Sequence, residues 1–404
     1  MTALKKLTTI IMAGGKGERL FPLTRDKAKP AITFGSIYRI IDFTLSNCLN
    51  SGIRRIYVLT QYGSFSLDQH LHRAWDIMHP DLDEFIYCMP PQQIMVNRWY
   101  RGTADSIYQN LTLLEQERPQ QVLILSGDHV YKMNYLEMLR FHLERGADMT
   151  VAAVMVPRRE ASSLGILKVN AAGAVENFLE KPAEPPALPD QPEFSLASMG
   201  VYIFRAEVLV AEVIKDAKKK TGKHDFGADI IPQMVGGKKV FAYNFQDPAS
   251  NSPRYWRDIG LLDAYFRAHH DLLGEVPVFG LFDPDWPLRS RPQLYPPSKY
   301  VCAHAPVVLE DSLIASGCLI EGAVRRSVLS PGVKVGPGAE VEEAVLWDGV
   351  EIGAGARLRQ VIIEDGVRVP PGFSIGFDRK KDARRFHVTE AGVVVVPNNV
   401  RLEE

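Results

Sequence analysis

A cluster of glycines follows the first apolar run of the chain. The run Leu7–Met12 passes into the string Ala13-Gly-Gly-Lys-Gly-Glu-Arg-Leu20. Glycines after a strand allow backbone N–H groups to approach phosphate oxygens, and Lys16 or Arg19 can add positive charge. The string is not a Walker A loop, because no G-K-[ST] follows at the required spacing, and it lacks the third glycine of a dinucleotide fingerprint. Alone, it indicates either a phosphate-binding loop or a tight strand-to-helix turn.

A further lysine lies close to these glycines in the sequence. Lys29 comes directly before Pro30, fourteen residues after Gly15. The residue before a proline is biased toward extended backbone, which gives its side chain a defined direction. Because a triphosphate needs several cations around it, we interpret Lys29 as a phosphate ligand, with a solvated surface lysine as the alternative.

Two aspartates stand at positions where a carboxylate can meet a ligand. Asp128 follows the apolar strand Val122–Leu125, at the carboxyl end of a strand, where open α/β sheets bind ligands. Asp258 precedes the helical pattern Leu261–Leu273, where an aspartate is ordinarily an N-cap residue. Taken singly, each has a structural explanation. As a pair they can hold Mg²⁺ and leave its other positions to phosphates and water.

A third polar segment contains Glu180 and Lys181, directly before Pro182. The ammonium group of Lys181 can neutralise a sugar phosphate, and the Glu180 carboxylate can accept hydrogen bonds from sugar hydroxyls. An isolated Glu-Lys pair is more often part of a solvated surface.

Alternating apolar runs and helical patterns must position these residues. The runs are Leu7–Met12, Ile53–Leu59, Gln121–Leu125, Met149–Val156 and Met199–Phe204. This alternation is typical of an α/β domain with a mostly parallel sheet. We therefore predict a Rossmann-like catalytic domain at residues 1–282, followed by a proline-rich linker at residues 283–306.

The remaining segment, residues 307–404, contains an internal repeat. Gly332, Gly349 and Gly366 recur every seventeen residues, and each is followed by a valine. Short β-branched triplets separated by Gly or Pro at that period favour a parallel β-helix, in which each coil buries its apolar row by stacking on the next. A β-sandwich with glycine turns is the less favoured alternative.

Charge and composition exclude several classes of partner. The chain carries 47 basic and 48 acidic residues, a formal net charge of −1, and no long cationic tract for a nucleic-acid backbone. No apolar stretch approaches the roughly 18 residues of a membrane span. The four cysteines show no C-x-x-C spacing, which argues against a disulfide framework or a zinc site. We expect a cytoplasmic protein that binds neither nucleic acid nor membrane.

Together, and in this order, the motifs resemble those of the sugar nucleotidyltransferases. The strings that carry the resemblance cover nearly the whole chain and are Ala13–Leu20, Ala28–Pro30, Tyr38–Phe43, Leu45–Asn47, Asn50–Ile53, Thr60–Tyr62, Trp99–Asp105, Ser126–His129, Glu180–Pro182, Ser195–Gly200, His224–Gly227, Tyr255–Gly260 and Asp382–Phe386. Relatives that use UTP, dTTP or GTP share the glycine loop. Trp99–Asp105 and Ser195–Gly200 are more particular to the members that make ADP-glucose.

The resemblance implies that ATP and glucose 1-phosphate give ADP-glucose and pyrophosphate, for glycogen or α-glucan synthesis, in a Mg²⁺-dependent homotetramer. The implied catalytic residues are Arg19, Lys29, Asp128 and Asp258, of which the two aspartates hold the metal. Implied nucleotide contacts are Ala13, Gly14, Gly15, Gln61, Gly102 and Thr103. Implied glucose 1-phosphate contacts are Tyr100, Gly165, Glu180, Lys181 and Ser198. In similar enzymes the C-terminal β-helix is left-handed and serves regulation and oligomerisation.

The sequence departs from the pattern of the relatives that fructose 1,6-bisphosphate activates. Asp26 and Thr33 stand where those relatives carry a lysine and a histidine, and an aspartate at the pocket edge would repel a bisphosphate. The cations that remain are Arg25, Lys27, Arg39, Arg384 and Arg385. We expect a phosphorylated sugar or orthophosphate to act between the two domains, with fructose 1,6-bisphosphate a poor activator.

Other functions are compatible with parts of this pattern. A different nucleoside triphosphate would leave the reaction class unchanged. A non-catalytic regulatory subunit would typically lack phosphate or metal residues, but Arg19, Lys29, Lys181 and both aspartates are present. A β-helix acyltransferase would carry a basic histidine on its coils, whereas His304 and His387 only flank the repeat.

Overall fold

A computed structural model of the chain describes residues 4–92, 99–291, 294–302 and 307–402. Parts of the predicted linker and His304 lie outside these ranges. The domain boundaries at residues 282 and 306 stay a prediction.

The N-terminal part of the chain alternates strands and helices. Its strands are β1 (Leu7–Ala13), β2 (Thr33–Phe34), β3 (Tyr38–Arg39), β4 (Arg55–Thr60), β5 (Phe85–Met89), β6 (Gln121–Ser126), β7 (His129–Tyr131), β8 (Met149–Pro157), β9 (Gly165–Val169), β10 (Val175–Glu180), β11 (Phe194–Arg205), β12 (Val240–Asn244) and β13 (Trp256–Asp258). Its helices are α1 (Ile40–Asn50), α2 (Ser64–Ala74), α3 (Thr103–Gln109), α4 (Leu111–Glu117), α5 (Tyr135–Glu144), α6 (Ala206–Ala217), α7 (Ile231–Met234) and α8 (Leu262–His270).

One large sheet forms the centre of this part. Strand β1 lies between β4 and β6 and is parallel to both, and β5 extends the parallel region beyond β4. The long strand β11 runs antiparallel to β6, β8 and β9, and β12 adds a parallel neighbour to β8. The predicted α/β domain with parallel strands at its centre is confirmed, and the antiparallel region around β11 widens the sheet.

Helices cover both faces of the sheet. Successive residues of β1 are buried on opposite faces, because Ile10 joins the cluster with α3, α4 and α6, whereas Ile11 joins the cluster with α1, α2 and α5. Such a strand reads as a continuous apolar run. Among the described residues, no helix combines the length and the apolar content that crossing a membrane requires.

The C-terminal part consists mainly of short parallel strands. They are β14 (Lys299–Tyr300), β15 (Leu309–Glu310), β16 (Leu313–Ile314), β17 (Leu319–Ile320), β18 (Ala323–Arg325), β19 (Val328–Leu329), β20 (Lys334–Val335), β21 (Glu340–Leu346), β22 (Glu351–Ile352), β23 (Arg357–Ile363), β24 (Arg368–Val369), β25 (Ser374–Ile375), β26 (His387–Val388) and β27 (Val394–Val396), with one short helix, α9 (Arg379–Asp382).

The seventeen-residue repeat sets the register in which these strands pair. Val341 of β21 pairs with Leu358 of β23, one period later. The three repeat glycines have φ angles of 73°, 67° and 70°, which glycine adopts without steric cost. The valines that follow them are buried inside the coils. The predicted parallel β-helix is confirmed, and its handedness stays a prediction.

The β-helix shares one apolar cluster with the N-terminal part, which contains β1–β13 and α1–α8 and is called the catalytic part below. Its β-helix members include Val345, Trp347, Ile362, Val393 and Val395, and its members from the catalytic part include Leu20, Leu23, Ile32, Ile259 and Tyr265. Trp347 is fully buried, and its Nε1 donates to the Tyr265 hydroxyl at 3.0 Å. Because Leu20 follows Arg19 and Ile259 follows Asp258, two candidate catalytic residues are adjacent to side chains packed against the β-helix.

Candidate active site

The carboxyl ends of two neighbouring strands bring the glycine loop and Asp128 together. Strands β1 and β6 are parallel, and Met12 lies opposite Ser126 at their carboxyl ends. The loop of residues 13–20 therefore starts beside the turn that carries Asp128. This is the edge of the sheet at which we expected the phosphate and metal residues to meet.

Asp258 reaches the same edge through a two-stranded ribbon. Strand β13 pairs antiparallel with β7, and the register sets Asp258 opposite His129, next to Asp128 in the chain. Helix α8 begins only at Leu262, with Leu261 in the N-cap position. The alternative that Asp258 caps this helix is therefore wrong, and its carboxylate is placed in the site instead.

The ammonium group of Lys29 lies between the two carboxylates. Its Nζ donates to Asp128 Oδ2 at 2.7 Å and to Asp258 Oδ1 at 3.4 Å, and Lys29 is buried. Burial alone would lower the pKa of Lys29, but the two carboxylates outweigh burial and raise it. Burial would likewise raise the pKa of Asp128, which Lys29 and His129 nevertheless hold well below its usual range. Lys29 and Asp128 are therefore both charged at neutral pH.

Arg19 and His129 lie next to these charged residues. A Cβ atom added to Gly260 would lie 2.8 Å from Nη2 of Arg19 and 2.9 Å from Oδ1 of Asp258, so both side chains approach Gly260 closely. Nε2 of His129 lies 3.5 Å from Asp128 Oδ1 and 3.9 Å from Asp258 Oδ1. A larger residue at position 260 would displace Arg19 or Asp258.

The two carboxylates suit a metal ion that takes oxygen ligands. Mg²⁺ is usually bound through one or two carboxylates, with substrate phosphates and water completing its shell. Within the described ranges, no group of three or more His, Cys, Asp or Glu side chains is placed to hold a metal without help. Asp128 and Asp258 therefore fit Mg²⁺ that binds together with a phosphate substrate.

A cavity of about 640 Å³ lies at these groups. The expected site residues that line it are Ala13, Gly14, Gly15, Arg19, Lys29, Gln61, Tyr100, Gly102, Thr103 and Asp128. Its volume lies within the roughly 300–1,000 Å³ that is typical of small-molecule sites. The structure therefore gathers the expected nucleotide residues around one cavity.

The turn before α3 is held by a segment to which sequence reasoning assigned no role. Thr103 Oγ1 donates to Asp225 Oδ2 at 2.7 Å, and the carbonyl oxygen of His224 accepts a hydrogen bond from Ala104 N at 2.9 Å. A Cβ atom on Gly102 would lie 2.4 Å from that carbonyl oxygen, so this close approach requires glycine. Asp225 also lines the cavity. The string His224-Asp-Phe-Gly227 was the signal available in the sequence.

Most residues expected to bind glucose 1-phosphate are not on the lining of this cavity. These are Gly165, Glu180, Lys181 and Ser198. Gly165 pairs with Glu180 between β9 and β10, and Lys181 Nζ lies 3.3 Å from Glu180 Oε1. A Cβ atom on Gly227 would lie 2.5 Å from Glu180 Oε2, so Glu180 packs against the segment that carries Asp225. Asp225 thus connects this cluster with the cavity.

Three of the expected effector cations face the β-helix. Arg25 Nη2 donates to Asn398 Oδ1 at 2.8 Å, Arg39 Nη2 lies 3.4 Å from Asp348 Oδ2, and Lys27 forms an ion pair with Asp365. Lys27 and Arg39 line a cavity of about 170 Å³ between the two parts, together with Arg73, Arg291 and Asp348. Sequence reasoning missed Arg73 and Arg291, which belong to α2 and to the predicted linker.

Arg384 and Arg385 do not line this cavity. The guanidinium of Arg385 lies 5.2 Å from the centre of the Phe373 ring, within the β-helix part. The structure thus places Arg385 against the β-helix, and the part of both arginines in effector binding stays a prediction.

Comparisons with known proteins agree with this division of the chain. The sequence model of the Nucleotidyl transferase family matches residues 8–275, and a model of the GlmU-like C-terminal hexapeptide matches residues 296–396. Among curated proteins, glucose-1-phosphate adenylyltransferase of Koribacter versatilis is 45% identical over 400 residues, which is 98% of this chain and 96% of that protein. Glucose-1-phosphate adenylyltransferase 2 of Vibrio parahaemolyticus is 47% identical over 395 residues, 96% of this chain and 98% of that protein.

Both comparisons point to one family of enzymes. The family model covers the part of the chain that contains the cavity, and the full-length relatives include the β-helix as well. Enzymes of this kind generally use a divalent metal ion, for which the two carboxylates are suited. The chain belongs to the Nucleotidyl transferase family, among its glucose-1-phosphate adenylyltransferases.

Proposed function

We propose that this enzyme transfers the adenylyl group of ATP to α-D-glucose 1-phosphate, giving ADP-glucose and pyrophosphate for glycogen or α-glucan synthesis. The observation that carries the proposal is the contact of Lys29 with Asp128 and Asp258, at a cavity lined by the glycine loop. Similarity over the full chain to enzymes named for this reaction supports the choice of nucleotide and sugar.

We infer that two cations receive the phosphates of the nucleotide. Arg19 and Lys29 both line the cavity beside the glycine loop, whose backbone N–H groups can donate to phosphate oxygens. We infer that these cations neutralise the pyrophosphate as it leaves. Fixed positive charges at a point where negative charge develops are a major source of rate enhancement.

The sugar phosphate needs positioning rather than activation. A phosphate monoester is mostly dianionic at neutral pH, since its second pKa is about 6, so its attacking oxygen requires no general base. Asp128 and Asp258 would hold Mg²⁺, which neutralises charge on the reacting phosphates when it is bound. We infer that the sugar and its phosphate are oriented by Glu180, Lys181 and Asp225.

Changing Lys181 to glutamine is expected to raise KM for glucose 1-phosphate by about tenfold and to leave kcat nearly unchanged. A tenfold change corresponds to a loss of roughly 1.4 kcal/mol of binding free energy. The side chain is 59% exposed, so solvent screens its charge and the effect stays moderate. Initial rates against each substrate would measure the change. Lys168→Gln on the neighbouring strand β9 is the matched control. An equal rise in KM for ATP would contradict the assignment of Lys181 to the sugar phosphate.

The nucleotide is the least constrained part of the proposal. The glycine loop alone would suit UTP, dTTP or GTP, and a purely regulatory subunit would turn over none of them. We therefore propose a direct ranking of kcat/KM for the four nucleotides with glucose 1-phosphate. The highest value is expected with ATP; a higher value with another nucleotide would remove the adenylyl assignment and leave the reaction class intact.

Assembly, regulation and location are further parts of the proposal. We infer a homotetramer, and an anionic effector, either a phosphorylated sugar or orthophosphate, in the 170 Å³ cavity between the two parts. The cations Lys27, Arg39, Arg73 and Arg291 support an anion there. The cysteines of the described residues are free thiols, in keeping with a reducing, cytoplasmic location.

A further inference from the structure

Two of the cations that line the cavity between the two parts are already paired with carboxylates of the β-helix. Lys27 forms an ion pair with Asp365 and lies 4.6 Å from the centre of the Trp347 ring. Arg39 pairs with Asp348 at 3.4 Å. Asp348 and Asp365 occupy equivalent positions of successive repeats, one before Gly349 and one before Gly366. Two consecutive coils thus present a carboxylate to the catalytic part at the same corner.

The segment that meets these carboxylates also delivers Lys29 to the active site. Only Ala28 separates Lys27 from Lys29. Thr24 Oγ1 donates to the carbonyl oxygen of Gly17 at 2.9 Å, which joins the segment to the glycine loop. On the other side, Ala28 N donates to Ser66 Oγ at 3.1 Å. A shift of Lys27 would therefore also change the positions of Lys29 and of the glycine loop.

Apolar contacts also fix the position of the β-helix turn that carries Asp348. Trp347 directly precedes Asp348 and is fully buried in the shared cluster with Leu20 and Ile259. Because packed interfaces are not continuously deformable, a carboxylate that follows such an anchor has a defined position. Burial raises the pKa of Asp348 against the influence of Arg39, whereas Lys27 outweighs burial and lowers the pKa of Asp365.

A carboxylate on the β-helix acts on these cations in the same way as a bound phosphate. It supplies negative charge and oxygen acceptors, and its effective concentration is high because the fold carries it. A free anion must compete with it for Lys27 and Arg39. Arg73 and Arg291 have no carboxylate partner within 4.0 Å among the described residues, so part of the cavity remains attractive to an anion.

We propose that Asp348 and Asp365 are positioning residues that take the place of effector phosphates and hold the Lys29 segment in its active position. This inference rests on the proposed function and extends it to regulation. In this arrangement Lys27 and Arg39 have anionic partners before any effector binds. The β-helix then supplies its own anions to the active site.

The test replaces each carboxylate with its amide. Asp365→Asn and Asp348→Asn are expected to lower kcat without any added anion by about fivefold to tenfold, a loss of roughly 1–1.4 kcal/mol in the transition state. Added orthophosphate or fructose 1,6-bisphosphate should restore at least half of the lost rate, because the vacated cations can then bind it. The wild type should gain a smaller factor from either anion than the amide variants do, because its Lys27 and Arg39 already have carboxylate partners.

Two control variants separate positioning from general stability. Glu351→Gln removes a β-helix carboxylate whose ion pairs are with Lys334 and Arg368, both in the β-helix, so no loss and no anion response are expected. Asp365→Glu retains the charge and should retain anion-independent activity. Thermal unfolding of each variant is the measurement that checks whether the fold is intact.

Each outcome decides the inference. Unchanged kcat in both amide variants would overturn it, and so would a loss of kcat that neither anion restores. Activation of the wild type by either anion as strong as that of the amide variants would also overturn it, since Lys27 and Arg39 would then not be held by the two carboxylates. If the wild type itself forms no ADP-glucose from ATP and glucose 1-phosphate, the proposed function fails instead, and the two failures are distinguishable.

Discussion

Replacing Asp128 by asparagine is expected to lower kcat by about 10³-fold or more, since a metal ligand supports several kcal/mol of transition-state stabilisation and each ~1.4 kcal/mol is tenfold in rate. The amide removes one of the two carboxylates that fit Mg²⁺. It also replaces the charged partner in the shorter of the two contacts made by Lys29 with a neutral amide. Both changes act at the reacting phosphates, so the loss should fall on kcat.

The fold should survive this substitution. Lys29 keeps Asp258 as a partner, so its buried charge is not left alone. Thermal unfolding should therefore remain cooperative, with a midpoint within roughly 5 °C of the wild type. Asp190→Asn, in an exposed loop, is the control for loss of a carboxylate elsewhere. Near-normal kcat of Asp128→Asn at saturating Mg²⁺ would show that the Asp128 carboxylate is not needed for catalysis.

Replacing Lys29 by methionine is expected to lower kcat by about 10²-fold, the size of effect seen when one preorganised donor to a developing charge is removed. Methionine keeps much of the apolar stem of lysine but carries no charge. The same variant should bind Mg²⁺ more tightly, because Asp128 and Asp258 lose the ammonium group that now neutralises them.

The two measurements are the rate at saturating substrate and the Mg²⁺ concentration that gives half of that rate. A lower kcat together with a lower half-saturating Mg²⁺ concentration supports the role of Lys29 in both functions. Lys132→Met, which removes an ion pair with Asp283 away from the cavity, is the control. A fall in kcat with weaker Mg²⁺ binding would mean that Lys29 supports the carboxylates rather than opposing the metal.

The local features of the sequence predicted the repeat and the strand-end residues well. The seventeen-residue period is a property of neighbouring coils, so the in-phase Gly332, Gly349 and Gly366 were sufficient to predict a parallel β-helix. Asp128 was placed by the rule that ligands bind at the carboxyl ends of parallel strands. Both predictions rest on patterns within short stretches of chain.

Contacts between distant parts of the chain could not be predicted in this way. Asp258 resembled a helix cap because its pairing with the strand of His129 depends on tertiary structure. Asp225 was not recognised because its partner, Thr103, lies 122 residues away. The carboxylates that meet Lys27 and Arg39 lie more than 300 residues away from them. The expected repulsion between Asp26 and a bisphosphate was therefore only one of the charge effects at this cavity.

The most direct test of the account is the identity and amount of product formed from ATP and glucose 1-phosphate by the purified full-length chain with Mg²⁺. We expect ADP-glucose and pyrophosphate in equal molar amounts, with neither formed when glucose 1-phosphate is omitted or Mg²⁺ is chelated. Pyrophosphate release without ADP-glucose, or a sugar nucleotide formed preferentially from UTP, dTTP or GTP, would contradict it.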